Sequence, residues 1–116
     1  MTIEGLQNIC SKLPGFSTDI KWENDLCFLV ADKMFLVTSL DKTPVSASFK
    51  VTEEEFDEIS SRDGFKPAPY LARNKWVYVD DINFLSVKEW EFYINKSYKL
   101  ISNKLTKKKQ KELGLI

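Results

Sequence analysis

A stretch with two prolines, Gly64–Tyr70, constrains the fold of this chain more than any other part of the sequence. It reads G-F-K-P-A-P-Y. Each proline fixes its own φ and biases the residue before it towards extended backbone, so the stretch cannot be helix interior or a central strand. Asp63-Gly64 supplies a turn that enters it. We therefore expect a stiff segment, here called the Pro-Ala-Pro connector, that presents a surface or forms a packed corner.

The residues before the connector predict a helix, four strands and a second helix. Apolar residues at helical spacing run from Ile3 to Leu13, and Pro14-Gly15 ends that helix. A capping box, Thr52-Glu53-Glu54-Glu55, begins the second helix. Short turns separate four runs of strand character, which favours an antiparallel meander. The runs are Thr18–Trp22, Leu26–Ala31, Met34–Leu40 and Val45–Val51.

The residues after the connector predict a fifth strand, Trp76–Asp80, and a long amphipathic helix. A second capping box, Ser86-Val87-Lys88-Glu89, begins this helix, and its apolar residues recur at spacings of three and four as far as Leu105. Thr106 can cap a last short basic helix. The pattern predicts one α+β domain over residues 1–116: a two-layer sandwich of an antiparallel five-stranded sheet with helices packed on one face.

The sequence lacks the residues that most catalytic and metal sites need. It contains no histidine, which excludes Ser-His and Cys-His nucleophiles and the usual zinc and non-haem iron ligand sets. Its four glycines stand alone, so no phosphate-binding loop is present. The adjacent acids Asp80 and Asp81 are more typical of a turn than of acid–base catalysis. We expect a non-enzymatic protein with no catalytic residues, no metal and no cofactor.

The cysteines and the hydropathy predict where the chain resides. Cys10 and Cys27 show no metal-binding or redox spacing. Cys10 falls on the apolar face of a predicted helix and Cys27 inside a predicted strand, which favours buried free thiols in a reducing compartment. No apolar run approaches the ~18 residues of a membrane span. We expect a soluble cytoplasmic protein without a membrane partner, and we favour a monomer.

The charge distribution gives the only electrostatic indication of a partner. The formal net charge is zero, yet seven of the 17 basic residues and only one of the 17 acidic residues lie from Lys96 onward. Such an asymmetry is typical of a surface that meets a polyanion. It is also typical of a solvated helix end, because lysines suit the negative pole of the helix dipole. Both interpretations stay open at this point.

The connector and several other motifs resemble those of the MmcQ/YjbR-like family. The shared marks are Leu13-Pro14-Gly15 followed by Trp22, Lys33-Met34-Phe35, Lys50 before the capped helix, the Pro-Ala-Pro-Tyr stretch, Trp76, Ser97-Tyr98, and the basic Lys104-Leu105-Thr106-Lys107-Lys108. Thr106 stands where the family often has proline, and Lys75 where it often has histidine. The resemblance implies a fold like that of bacterial frataxin and a DNA-binding role.

Three functions are compatible with these features. The first is weak, largely sequence-nonspecific DNA binding through the basic C-terminal end and the connector, in which lysines neutralise phosphates and an aromatic ring stacks on a base. The predicted nucleic-acid-binding residues are Lys66, Tyr70, Arg73, Lys75, Trp76, Lys104, Lys107, Lys108 and Lys109. Core packing is the alternative for Tyr70, Trp76 and Tyr98.

The second function is a protein- or small-ligand-interaction module of the same fold with no nucleic-acid role. The third is a frataxin-like iron carrier. An iron carrier needs an acidic first helix that supplies oxygen ligands, and Glu4 is the only acid in the predicted first helix. The sequence therefore disfavours the iron carrier.

Overall fold

The computed structural model describes residues 1–116 and contains four α-helices. They are α1 (Ile3–Cys10), α2 (Glu53–Ser60), α3 (Val87–Ser102) and α4 (Lys107–Glu112). Both predicted capping boxes form, with the side chains of Thr52 and Ser86 accepting the third amide of α2 and α3. None of the helices combines the length and apolar character needed to cross a membrane.

Six strands form one antiparallel sheet, so the prediction of five strands was wrong. They are β1 (Phe16–Lys21), β2 (Asp25–Val30), β3 (Lys33–Ser39), β4 (Ala47–Lys50), β5 (Phe65–Pro67) and β6 (Trp76–Val79). The order across the sheet is β1-β2-β3-β4-β6-β5. The first four strands make the predicted meander, in which each strand pairs with the next one in the chain.

The additional strand, β5, is the first half of the Pro-Ala-Pro connector. It pairs with β6 through Phe65↔Val79, Lys66↔Tyr78 and Pro67↔Val77. β5 lies at the edge of the sheet and pairs on one side only. Such a position tolerates Pro67, which has no amide hydrogen to donate. The connector is thus part strand and part turn, and it forms a corner against β6.

One face of the sheet and the first three helices build a single apolar core. Alternate strand residues, such as Leu36, Phe49 and Val77, point into it, together with Leu6 of α1 and Trp90 of α3. Both cysteines are free and buried, as predicted. Burial raises the pKa of the Cys10 thiol to about 12, so this thiol is a packing group and an unreactive one.

Candidate functional site

Two concave surfaces flank the chain segment that runs from the connector into β6. The first is a cleft of about 410 Å³ between the end of β4, the start of α2, the turn before β6 and the residues after α3. Four basic side chains line it: Lys50, Arg73, Lys75 and Lys104. Glu53 and Glu54 line it too, so cations exceed acids by two. We call this surface the basic cleft.

Lys50 is the buried member of the basic cleft, with only 8% of its surface exposed. Its Nζ donates a hydrogen bond to the carbonyl oxygen of Asn74 in the turn before β6. Burial lowers the pKa of Lys50 most, and the neighbouring positive charge of Lys104 lowers it further. The charge of Lys75 acts in the same direction, while Glu53 opposes the shift. The cleft therefore holds positive charges that repel one another.

None of the four cations is neutralised by an ion pair. The three ion pairs of the chain join Arg62 to Glu58, Lys96 to Glu55 and Lys109 to Glu112, all outside the four. Lys75 instead places its Nζ 5.0 Å from the centre of the Phe56 ring. A cleft with unpaired cations, one of them buried, favours an anion with several oxygens, such as a phosphate group.

The second surface is a groove of about 520 Å³ on the sheet face opposite the core. Its floor includes Val37, Ser48 and Tyr78, which lie side by side on β3, β4 and β6 and alternate with core residues. Trp22, from the turn between β1 and β2, and Tyr70, from the connector, also line it. We call this surface the open-face groove.

A family model described as YjbR matches residues 11–100. This chain belongs to the YjbR family. The match spans most of the described fold, from the turn after α1 to the last turns of α3. It confirms the family that the connector and the other motifs indicate.

Solved structures of similar proteins support the fold of this YjbR chain. Deinococcus radiodurans protein DR2400, with the family-model domain DUF419, superposes with a TM-score of 0.88 at 26% identity and covers 99% of this chain and 89% of its own. A Pseudomonas syringae protein superposes with a TM-score of 0.70 at 22% identity, covering 86% of this chain and 98% of its own. No curated protein gives a significant match.

The structure brings together three of the nine predicted nucleic-acid-binding residues of the YjbR chain: Arg73, Lys75 and Lys104 meet in the basic cleft. Two others, Tyr70 and Lys66, belong to the open-face groove and its rim, because Lys66 Nζ lies 4.8 Å from the centre of the Tyr78 ring. The connector and the turn after it therefore contribute to both surfaces.

The remaining four predicted residues lie apart from the cleft lining. Lys107, Lys108 and Lys109 are exposed on α4, where Lys109 pairs with Glu112. Trp76 is only 4% exposed, so its ring offers no accessible face to a base. Trp76 lies on the same side of β6 as Tyr78 and is buried there, outside the core cluster. Core packing, the alternative interpretation, describes Tyr98, which belongs to the core cluster and donates its hydroxyl to the carbonyl of Pro14 at 2.5 Å.

The sequence reasoning missed Lys50, Trp22 and Tyr78 as site residues. Lys50 occupies a polar position of an alternating strand, where a solvated lysine is equally typical. Trp22 gave a usable signal, because an aromatic residue within a polar hairpin turn is expected to be exposed. Tyr78 alternates with valines on β6, so its position on the outer face could have been predicted from periodicity alone.

Ser97 on α3 holds the end of β4 in place and with it Lys50. The Ser97 hydroxyl is buried, donates to the Phe35 carbonyl at 2.6 Å and accepts the Lys50 amide at 3.0 Å. The β3–β4 pairing ends at Leu36↔Phe49, and the Ser97 hydroxyl bridges the next two residues, Phe35 and Lys50.

Replacement of Ser97 by alanine is expected to lower the free energy of unfolding by about 1–3 kcal/mol, because two buried backbone groups lose their partner. Urea denaturation followed by circular dichroism measures the change. Ser102→Ala is the matched control, since Ser102 is a buried serine of α3 whose hydroxyl makes a single bond, to the Lys99 carbonyl at 3.4 Å. Equal losses in the two variants would contradict the role of Ser97.

Proposed function

We propose that this YjbR protein binds DNA without catalysing a reaction, weakly and with little sequence specificity, through the phosphates of the backbone. The observation that supports this most is the basic cleft, in which Arg73, Lys75 and Lys104 surround the buried Lys50 without an ion pair. Phosphate contacts made by such side chains provide affinity but carry no base information.

The predicted low affinity follows from the overall charge. The formal net charge is zero, so no long-range attraction draws a polyanion to the surface. Only the local excess of cations in the cleft, and the lysines of α4 that follow Lys104, favour a phosphate chain. We therefore expect a weak complex that dissociates readily as salt rises.

Fluorescence anisotropy of a labelled DNA duplex tests the proposal. Between about 50 and 200 mM salt, four phosphate contacts are expected to weaken binding about 10²-fold, since the log–log slope is close to −0.9 per contact. A duplex that fails to bind at the lower salt would overturn the proposal. Binding that does not change with salt would show that the phosphates are not the ligand.

A second candidate function is a protein- or small-ligand-interaction module, and the open-face groove favours it. At about 520 Å³, the groove lies within the ~300–1,000 Å³ range of small-molecule sites. If no DNA probe binds, the interaction module becomes the favoured function, with the open-face groove as its site. A thermal-shift screen with small aromatic compounds, read against a variant of the groove, would then test it.

For the arrangement of layers, we infer a two-layer sandwich similar to that of bacterial frataxin. The support is that buried residues of α1, α2 and α3 join a single cluster with alternate residues of the sheet. Likeness of fold does not carry function with it.

The residues do not favour a frataxin-like iron carrier. No group of three or more acidic or cysteine side chains is placed to hold a metal ion, and α1 contains Glu4 as its only acid.

A further inference from the structure

The open-face groove has features that the phosphate contacts of the basic cleft do not use. Three aromatic side chains line it, namely Trp22, Tyr70 and Tyr78, and three serines line it as well. Trp22 is 66% exposed, whereas Trp76 and Trp90 are buried. Large exposed aromatic rings grouped in one concavity are typical of a binding surface.

Tyr70 gives the strongest support for a binding role of the groove. Its side chain is fully exposed, at 104% of the reference value, so it contributes no packing to the core. Its backbone is left-handed, with φ 66°, a conformation that L-residues with a Cβ adopt rarely and that glycine would adopt at less cost. The positive φ belongs to the turn Ala68–Leu71, in which Pro69 precedes Tyr70 and the Leu71 amide donates to the Ala68 carbonyl at 3.2 Å, and glycine is the usual residue at this position. A fully exposed tyrosine ring that lines a groove, at a turn position that favours glycine, points to a binding role.

Two lysines add positive charge at the same place. Lys66 Nζ lies 4.8 Å and Lys42 Nζ 5.6 Å from the centre of the Tyr78 ring, and Lys42 Nζ is 3.5 Å from the Tyr78 hydroxyl. Neither lysine forms an ion pair. The groove therefore combines faces for planar rings with unpaired cations, which complements a ligand that carries both aromatic rings and negative charge.

We propose that the open-face groove binds unpaired bases of single-stranded DNA, with Tyr70 and Trp22 stacking on bases and Lys42 and Lys66 next to the phosphates. Unpaired bases stack on aromatic side chains of open sheet faces and charged grooves in this way, whereas the bases of a duplex are stacked on one another. This inference deepens the proposed DNA binding and rests on it. Residues 69–71 line the groove and residues 73–75 line the cleft, so the two surfaces adjoin along one short segment of the chain.

Tryptophan fluorescence tests the inference directly, because Trp22 is the exposed one of the three tryptophans. Titration with a thymidine 12-mer is expected to quench the emission, while a duplex of equal phosphate number quenches little. Trp22→Phe removes the quenching and retains binding measured by anisotropy. Tyr70→Ala weakens single-strand binding about tenfold and leaves duplex binding unchanged.

Phe92→Ala is the matched control. Phe92 is an exposed aromatic residue with a lysine, Lys96, 5.2 Å above its ring, and it lies on α3 away from the groove. This variant is expected to bind both probes like the wild type. Circular dichroism spectra show whether each variant is folded, and a folded Tyr70→Gly variant replaces any Tyr70→Ala variant that is not.

The outcomes separate this inference from the proposed function. If Tyr70→Ala binds single strands as tightly as the wild type and still binds the duplex, the proposal that the groove binds unpaired bases is wrong. The proposal that the basic cleft binds phosphates then stands. Failure of both probes overturns both proposals. Free thymidine monophosphate is compared with the 12-mer at equal base concentration. If it quenches the emission as strongly, the groove is a small-molecule site and the proposal that it binds a DNA strand is wrong.

Discussion

Replacement of Trp90 by alanine is expected to lower the free energy of unfolding by about 3–5 kcal/mol, the range for truncating a buried aromatic side chain. Trp90 is completely buried, and its ring lies 5.5 Å from that of Phe49 in an edge-to-face contact. Its indole nitrogen donates to the Ile82 carbonyl at 2.7 Å. Truncation therefore removes the contacts of the Trp90 ring with the sheet together with a buried hydrogen bond.

The loss is large compared with the stability of a domain of this size, which is typically about 5–15 kcal/mol. A thermal melt followed by circular dichroism should show a midpoint lower by roughly 10–20 °C. Trp90→Phe separates the two contributions, because it keeps most of the packing and loses the bond to Ile82. Phe92→Ala, an exposed position on the same helix, should change the midpoint little. A midpoint for Trp90→Ala like that of Phe92→Ala would contradict the central position of Trp90.

Local chemistry explains which parts of the fold were predictable. Thr52 with Glu55 and Ser86 with Glu89 form capping boxes in the structure, because the pattern and the bonds involve residues only three positions apart. The four-strand meander was predictable for the same reason, since short turns leave a strand little choice of partner. Signals of this kind require no knowledge of the rest of the chain.

Strand β5 was not predictable, because its pairing is decided by tertiary structure. Three residues that end in Pro67 carry a weak strand signal, and two prolines argue against a strand. The segment becomes a strand because β6 is adjacent in space and the edge position tolerates proline. The left-handed backbone of Tyr70 and Lys75 is equally invisible in sequence, since neither position has the glycine or asparagine that usually marks it.

The candidate site was predicted in part. Arg73 and Lys75 were identifiable because they follow the connector directly, and Lys104 because it begins the basic end of the chain. That these residues share a cleft with Lys50 depends on how α3 packs over the end of β4, which includes the bond from Ser97. Periodicity gives the face of a helix or strand, but it does not give the distance between residues far apart in the chain.

A comparison of two triple variants should show which basic residues meet the DNA. The first variant removes three charges from the basic cleft by combining Arg73→Gln, Lys75→Gln and Lys104→Gln. Each phosphate contact that is lost lowers the salt slope by about 1, so this variant should lose most of its salt dependence. Its affinity for duplex at about 50 mM salt should fall by roughly 10²- to 10³-fold.

The second variant, Lys107→Gln, Lys108→Gln and Lys109→Gln, removes the same number of charges from α4 and is the control for net charge. We expect a smaller loss, because these lysines do not line the cleft and Lys109 already pairs with Glu112. Lys50 stays in both variants, since its burial and its bond to Asn74 make it part of the fold. A greater loss in the α4 variant would assign the contact to the C-terminal helix instead of the cleft. Equal losses would show that net charge alone drives binding, without a defined site.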